Sequence, residues 1–95
     1  MAGYVIVNDA ITDEAVFAEF RARIAATVEA HGGRYLVRGG ATEVIDGEWR
    51  PDRIVILEFD NVDRARAWLN SPEYAELREI RRKSANASVV IVEGV

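Results

Sequence analysis

Cysteine is absent from this chain, and histidine and methionine occur once each. Without cysteine there is no disulfide framework, no thiolate nucleophile and no zinc ribbon. A single histidine with no paired acidic motif makes a poor metal site, so no metal is expected. Basic residues are in the minority: 12 Lys and Arg face 16 Asp and Glu, for a net charge of −4. That balance disfavours a nucleic-acid backbone or an anionic membrane surface as partner. No apolar run approaches the roughly 20 residues of a membrane span. The start, Met1-Ala2-Gly3-Tyr4, lacks a basic region followed by an apolar one, so no signal peptide is expected. A cytoplasmic protein is the expectation. Abundant Ala and Arg beside scarce Lys suit a GC-rich bacterial genome.

The 95 residues suffice for one small domain, residues 1–95, and 49% of them are apolar. A chain of this length buries only about 60–65% of its unfolded surface, so its own core is thin. Part of the apolar surface is then expected between subunits.

Tyr4 to Asn8 is β-branched and short, and reads as a first strand. Thr12 or Asp13 can cap a helix in which Phe17, Phe20, Ile24, Val28 and His31 recur at spacings of three and four. The pair Gly32-Gly33 stops that helix. Arg34 opens a second strand, in which Arg34 and Arg38 share one face if the strand is regular. A second pair, Gly39-Gly40, reads as a bulge or bend. Asp46-Gly47 suits a type I′ hairpin turn between Glu43 and Trp49. Arg53 to Phe59 forms a third strand, apolar on both faces. A second helical region follows an Asp60 or Asn61 cap, with Ser71-Pro72 as a fresh start within it. Val89 to Val92 closes the chain as a fourth strand.

The order βαββαβ is that of the ferredoxin-like α+β fold: a four-stranded antiparallel sheet with two helices on one face. The bare face would be too apolar for a monomer, which predicts a sheet-to-sheet homodimer, a dimeric α+β barrel.

Several segments in order carry a resemblance. They are His31 to Gly40, Gly47 to Arg53, Glu58-Phe59, Ala67-Trp68, Ser71-Pro72-Glu73-Tyr74, Arg81, Ser84-Ala85 and Glu93-Gly94. Together they resemble the domain of unknown function (DUF) 1330 family of the dimeric α+β barrel superfamily. The resemblance implies a ferredoxin-like protomer and a homodimer. It implies no activity. Three positions depart from the family's usual pattern: Asp60 and Asn61 replace a Pro-Ser pair, and Leu69 replaces a tyrosine. Similar barrels include monooxygenases, lactone isomerases and haem degraders. Asn8 and Trp68 match part of the haem degraders' set, but the second helix has no histidine to serve as axial ligand. No cofactor is expected.

Candidate functional residues follow from charge in apolar settings. Glu58 shares a strand face with Ile54 and Ile56, so it must be paired or protonated. In an unbroken register it lies opposite Tyr35. With a one-residue shift at Gly39-Gly40, Arg34 lies opposite it and Arg38 further along the same face. Glu58 and His31 are the candidate proton-transfer residues. Arg38, Arg53, Glu58, Trp68, Tyr74 and Arg81 are the candidate ligand-binding set, between the sheet and the helices. Each has a purely structural alternative. These are an ion pair at the sheet end for Glu58, a helix cap for His31, core packing for Trp68 and Tyr74, and a solvated basic face for the arginines of the last helix.

Two functions stand on this reading. One is a binder of a small anionic or aromatic metabolite, with or without cofactor-free chemistry. The other is a non-catalytic dimeric interaction module. RNA binding, which uses the same strand order, is disfavoured by the negative charge and the few sheet aromatics, Tyr4 and Phe59.

Overall fold

The computed structural model covers residues 1–95. Its elements are β1 (Gly3–Ile11), α1 (Glu14–Ala30), β2 (Arg34–Arg38), β3 (Ile54–Phe59), α2 (Val62–Leu69), α3 (Pro72–Ser84) and β4 (Ala85–Glu93). The strands form one antiparallel sheet in the order β2-β3-β1-β4. This is the ferredoxin-like arrangement, with its second helix broken in two.

Alternation along β1 sends Val5, Val7 and Asp9 to the helix-covered face and Tyr4, Ile6 and Asn8 to the other. Val55, Leu57 and Phe59 of β3 join the first set. Against them pack Phe17, Phe20, Ile24 and Val28, the apolar stripe of α1, together with Trp68, Tyr74 and Leu77. The stripe follows the spacing read from the sequence. Asp13 is the N-cap of α1, its carboxylate accepting from Val16 N at 3.1 Å. The C-terminus is a Schellman turn: Gly33 N donates to Val28 O and Gly32 N to Glu29 O, with Gly32 at φ 77°.

Asn61, and not Asp60, caps α2, and Ser71 caps α3 as expected from Ser71-Pro72. At the other end of α3 there is no loop. Ser84 ends the helix and Ala85 begins β4, and the Ser84 carbonyl accepts from both Thr12 N and Asp13 N. That oxygen ties the end of α3 to the start of α1.

Four expectations are corrected. First, β1 and β4 are longer than Tyr4–Asn8 and Val89–Val92, because the two pair along their full length, from Gly3↔Glu93 to Ile11↔Ala85. Second, no hairpin forms around Asp46-Gly47. Gly47 has φ 91° but Asp46 does not have positive φ, and a type I′ turn needs both. Residues 39–53 form a loop instead, held to β1 by Asn8, whose side chain exchanges hydrogen bonds of 2.8 and 3.1 Å with Asp52. Third, the bulge falls at Leu36 and not at Gly39-Gly40: Tyr35 pairs with Leu57 and Val37 with Ile56. Fourth, Arg34 and Arg38 do not share a face, because the bulged residue lies between them.

The second sheet face is uncovered. Tyr4, Ile6, Val37, Ile54, Ile56, Val90 and Val92 lie on it, and Val90 is 55% exposed. No helix of the chain is long and apolar enough to cross a membrane.

Candidate functional site

The site is a recess between the sheet and α1, walled by Val7, Phe17, Phe20, Val55 and Trp68. Four arginines, Arg21, Arg38, Arg53 and Arg81, and one acid, Asp9, line this apolar cup; Arg21 is also ion-paired with Glu14 at 3.7 Å. The recess is narrow. It leaves about 30 Å³ for water, room for about two molecules.

Asp9 sits on β1 one inward position beyond Val7 and is 2% exposed. Its backbone N–H donates to Arg53 O at 2.9 Å, and its Oδ2 accepts from Arg53 Nη1 at 3.2 Å. Its Oδ1 is buried with no hydrogen-bond partner. Burial pushes the Asp9 carboxyl above its ordinary value, against the opposing pull of Arg81 and Arg53.

Arg53 enters the recess across Gly39. A Cβ on Gly39 would lie 3.0 Å from Arg53 Nε, and Gly39 has φ 72°, so both space and backbone call for glycine there. Arg81 is 6% exposed and donates to the Tyr74 hydroxyl. Its guanidinium also lies 5.3 Å from the centre of the Phe20 ring. Arg38 stacks on Tyr35 at 4.5 Å, and Arg21 lies over Phe17 at 5.1 Å. Arg38 has no carboxylate partner; its one polar contact is a long hydrogen bond to the Arg21 carbonyl, 3.5 Å. These two form the mouth. Burial raises the Tyr35 hydroxyl above its ordinary value, while Arg38 and Arg53 oppose the shift.

Of the candidates named from the sequence, the fold brings Arg38, Arg53, Trp68 and Arg81 together here. Trp68 forms the floor. It stacks on Phe59, tilts against Tyr74 and donates from Nε1 to Thr27 Oγ1 at 3.0 Å. Tyr74 stands behind Arg81 and orients it without lining the recess.

Glu58 and His31 are not in the site. Glu58 is on the opposite sheet face, ion-paired with Arg34 and beside Tyr4. The bulge at Leu36 brings Arg34 opposite Glu58 and turns Arg38 away, so the expected pocket of Arg38 with Glu58 is divided by the sheet. His31 is the C-cap residue of α1, and its Nδ1 donates to Thr27 O at 2.9 Å. Asn8 and Trp68 are likewise on opposite faces.

Sequence reasoning missed Asp9 and Arg21. The alternation Val5-Val7-Asp9 signals the first, once the strand is allowed to run past Asn8. The second lies four residues after Phe17 and three before Ile24, on the flank of the helical apolar stripe. No group of His, Cys, Asp and Glu is arranged to hold a metal ion.

No protein of curated function matches the sequence. Among solved structures, a protein of unknown function from Rhodopseudomonas palustris superposes with TM-score 0.76 at 13% identity, over 99% of this chain and 82% of that one. A dimeric ferredoxin-like protein of unknown function from Thermobifida fusca gives 0.69 at 16%, over 99% and 92%. SnoaB, a cofactor-independent oxygenase from Streptomyces nogalater, gives 0.66 at 14%, over 99% and 93%. At these identities the likeness carries the fold and not an activity. The family model "Domain of unknown function (DUF1330)" matches residues 2–95, and on that near-complete span the chain belongs to the DUF1330 family.

Proposed function

We propose that this protein is a cytoplasmic homodimer that binds a small organic anion in the recess between its sheet and α1. The observation that carries this reading is the charge of the recess. Four arginines and one acid line it beside an apolar wall, in a chain whose net charge is −4. Concentrating positive charge where the whole molecule is negative focuses the field on one cleft. Guanidinium forks match carboxylates in geometry and charge. The apolar wall suits the body of a small carboxylic acid, aliphatic or single-ring. At about 30 Å³ the resting recess is smaller than such a ligand, so binding requires the recess to widen as Arg38 and the half-exposed Arg21 are displaced.

The dimer reading rests on the uncovered sheet face and on the dimeric state of the Thermobifida fusca neighbour. It also favours a second function, a dimeric module without a ligand, since the apolar face is present whatever the recess does. Native mass spectrometry of freshly purified protein separates the two. A dimer that carries an acidic adduct or takes up millimolar benzoate or propionate, and loses it in Arg38→Ala, supports the anion site. A dimer that carries no acidic adduct and takes up no small acid leaves the ligand-free module.

A further inference from the structure

Within the anion-binding reading above, on which this inference rests, one atom of the recess has no task. Asp9 Oδ2 is engaged by Arg53, whereas Oδ1 is buried without a partner. A buried carboxylate oxygen left unpaired costs more than a made hydrogen bond returns, so such an atom calls for a donor. No donor of the protein reaches Oδ1, although arginines surround the carboxylate. Arg81 donates to Tyr74 and Arg38 reaches the Arg21 carbonyl. Asp9 lines the recess, where a bound molecule can reach it.

We propose that Asp9 Oδ1 is the acceptor for a neutral hydroxyl of the ligand, so that the recess selects a small hydroxy acid over the same acid without its hydroxyl. Charge decides the kind of donor. An ammonium would also satisfy Oδ1, but the four arginines make the recess repel a cation. A hydroxyl donates without adding positive charge. The ligand then lies with its carboxylate at Arg38, which has no acidic partner of its own, and its hydroxyl at Asp9. Its carbon frame rests against Phe17, Phe20 and Val55. The selectivity comes from the penalty on the wrong ligand: an acid lacking the hydroxyl would seal Oδ1 away from water unpaired.

Isothermal titration calorimetry on the intact protein tests this with two matched pairs, propionate with lactate and benzoate with 4-hydroxybenzoate. In the wild type, the hydroxy acid of at least one pair is expected to bind about ten- to hundredfold tighter than its parent, the range for a hydrogen bond to a charged group. In Asp9→Ala the preference is expected to vanish while the parent acid still binds. Asp9→Asn, which preserves shape, serves if the alanine variant does not fold, and should reduce the preference severalfold. Equal binding of both members, with binding lost in Arg38→Ala, overturns the role of Asp9 and leaves the anion site standing. A preference that survives in both Asp9 variants also overturns it. If none of the four acids binds the wild type, the anion-binding reading falls and this inference with it.

Discussion

Arg34 and Arg38 lie four residues apart on one short strand and face opposite sides of the sheet, because Leu36 is bulged out between them. One arginine pairs with Glu58 on the open face; the other stacks on Tyr35 at the mouth of the recess. A single extra residue thus gives β2 two unrelated electrostatic roles.

The separation of Glu58 from the recess is testable. Glu58 stands opposite Tyr4 across the β1–β3 pair, and hydrogen bonding and negative charge from Glu58 push the Tyr4 hydroxyl above its ordinary 10.0. In Glu58→Gln the charge is gone, and an ultraviolet titration should show Tyr4 ionising at lower pH. Stability should fall by at most about 1 kcal/mol, since Arg34 is largely exposed. Binding of small acids should be unchanged. Loss of binding in a folded Glu58→Gln protein would put Glu58 back in the site.

Thr27 supplies the acceptor for the indole N–H of the buried Trp68. Thr27→Val keeps the shape and strands that donor, which should cost about 1–3 kcal/mol in urea unfolding. A loss below about 0.5 kcal/mol would mean the indole finds another acceptor.

Asp9 gives a pH dependence with a defined sign. Its carboxyl ordinarily titrates at 3.8 and is raised in the fold, by burial first, against Arg81, Arg53 and Arg21. The folded protein therefore keeps that proton to higher pH than the unfolded chain does. The corresponding stability is full below pH 3.8 and is lost as the pH rises through the folded value. Asp9→Asn cannot ionise and escapes the loss. Urea melts should show the wild type losing ground to Asp9→Asn as pH rises from the acid side towards neutrality. A trend in the opposite direction would show that the arginines outweigh burial.

The open sheet face predicts the assembly state. Sedimentation velocity should find a wild-type dimer and a Val90→Asp monomer, because a carboxylate placed within an apolar contact must be desolvated unpaired. A monomeric wild type at micromolar concentration would remove the dimer from the proposal.

The periodic features of the fold were legible before the structure: the α1 stripe, the Ser71 cap, the other two caps to within one residue each, and the βαββαβ order of elements. What failed was register. Leu36 looks like any strand residue, and no local preference distinguishes the residue that bulges from its neighbours, yet its choice decides which arginine meets Glu58. The Asp46-Gly47 pair failed for a related reason. Turn residues make a hairpin only when both flanks find partners, and here β2 ends at Arg38 while pairing resumes only at Ile54. Asp9 was missed because an acidic residue after Asn8 reads as the end of a strand. Only the pairing of β1 with β4 carries the strand through it.

The Ser84 carbonyl, holding two N–H groups at the start of α1, bears on how fast a ligand can come and go. It clamps α3 against α1 at the point where a hinge between them would have to bend. On the anion-binding proposal, access then lies with the mouth side chains, whose displacement breaks the Arg38–Tyr35 stack and the Arg21–Glu14 ion pair. Under that proposal, differences in affinity among acids should then fall mostly in their dissociation rates.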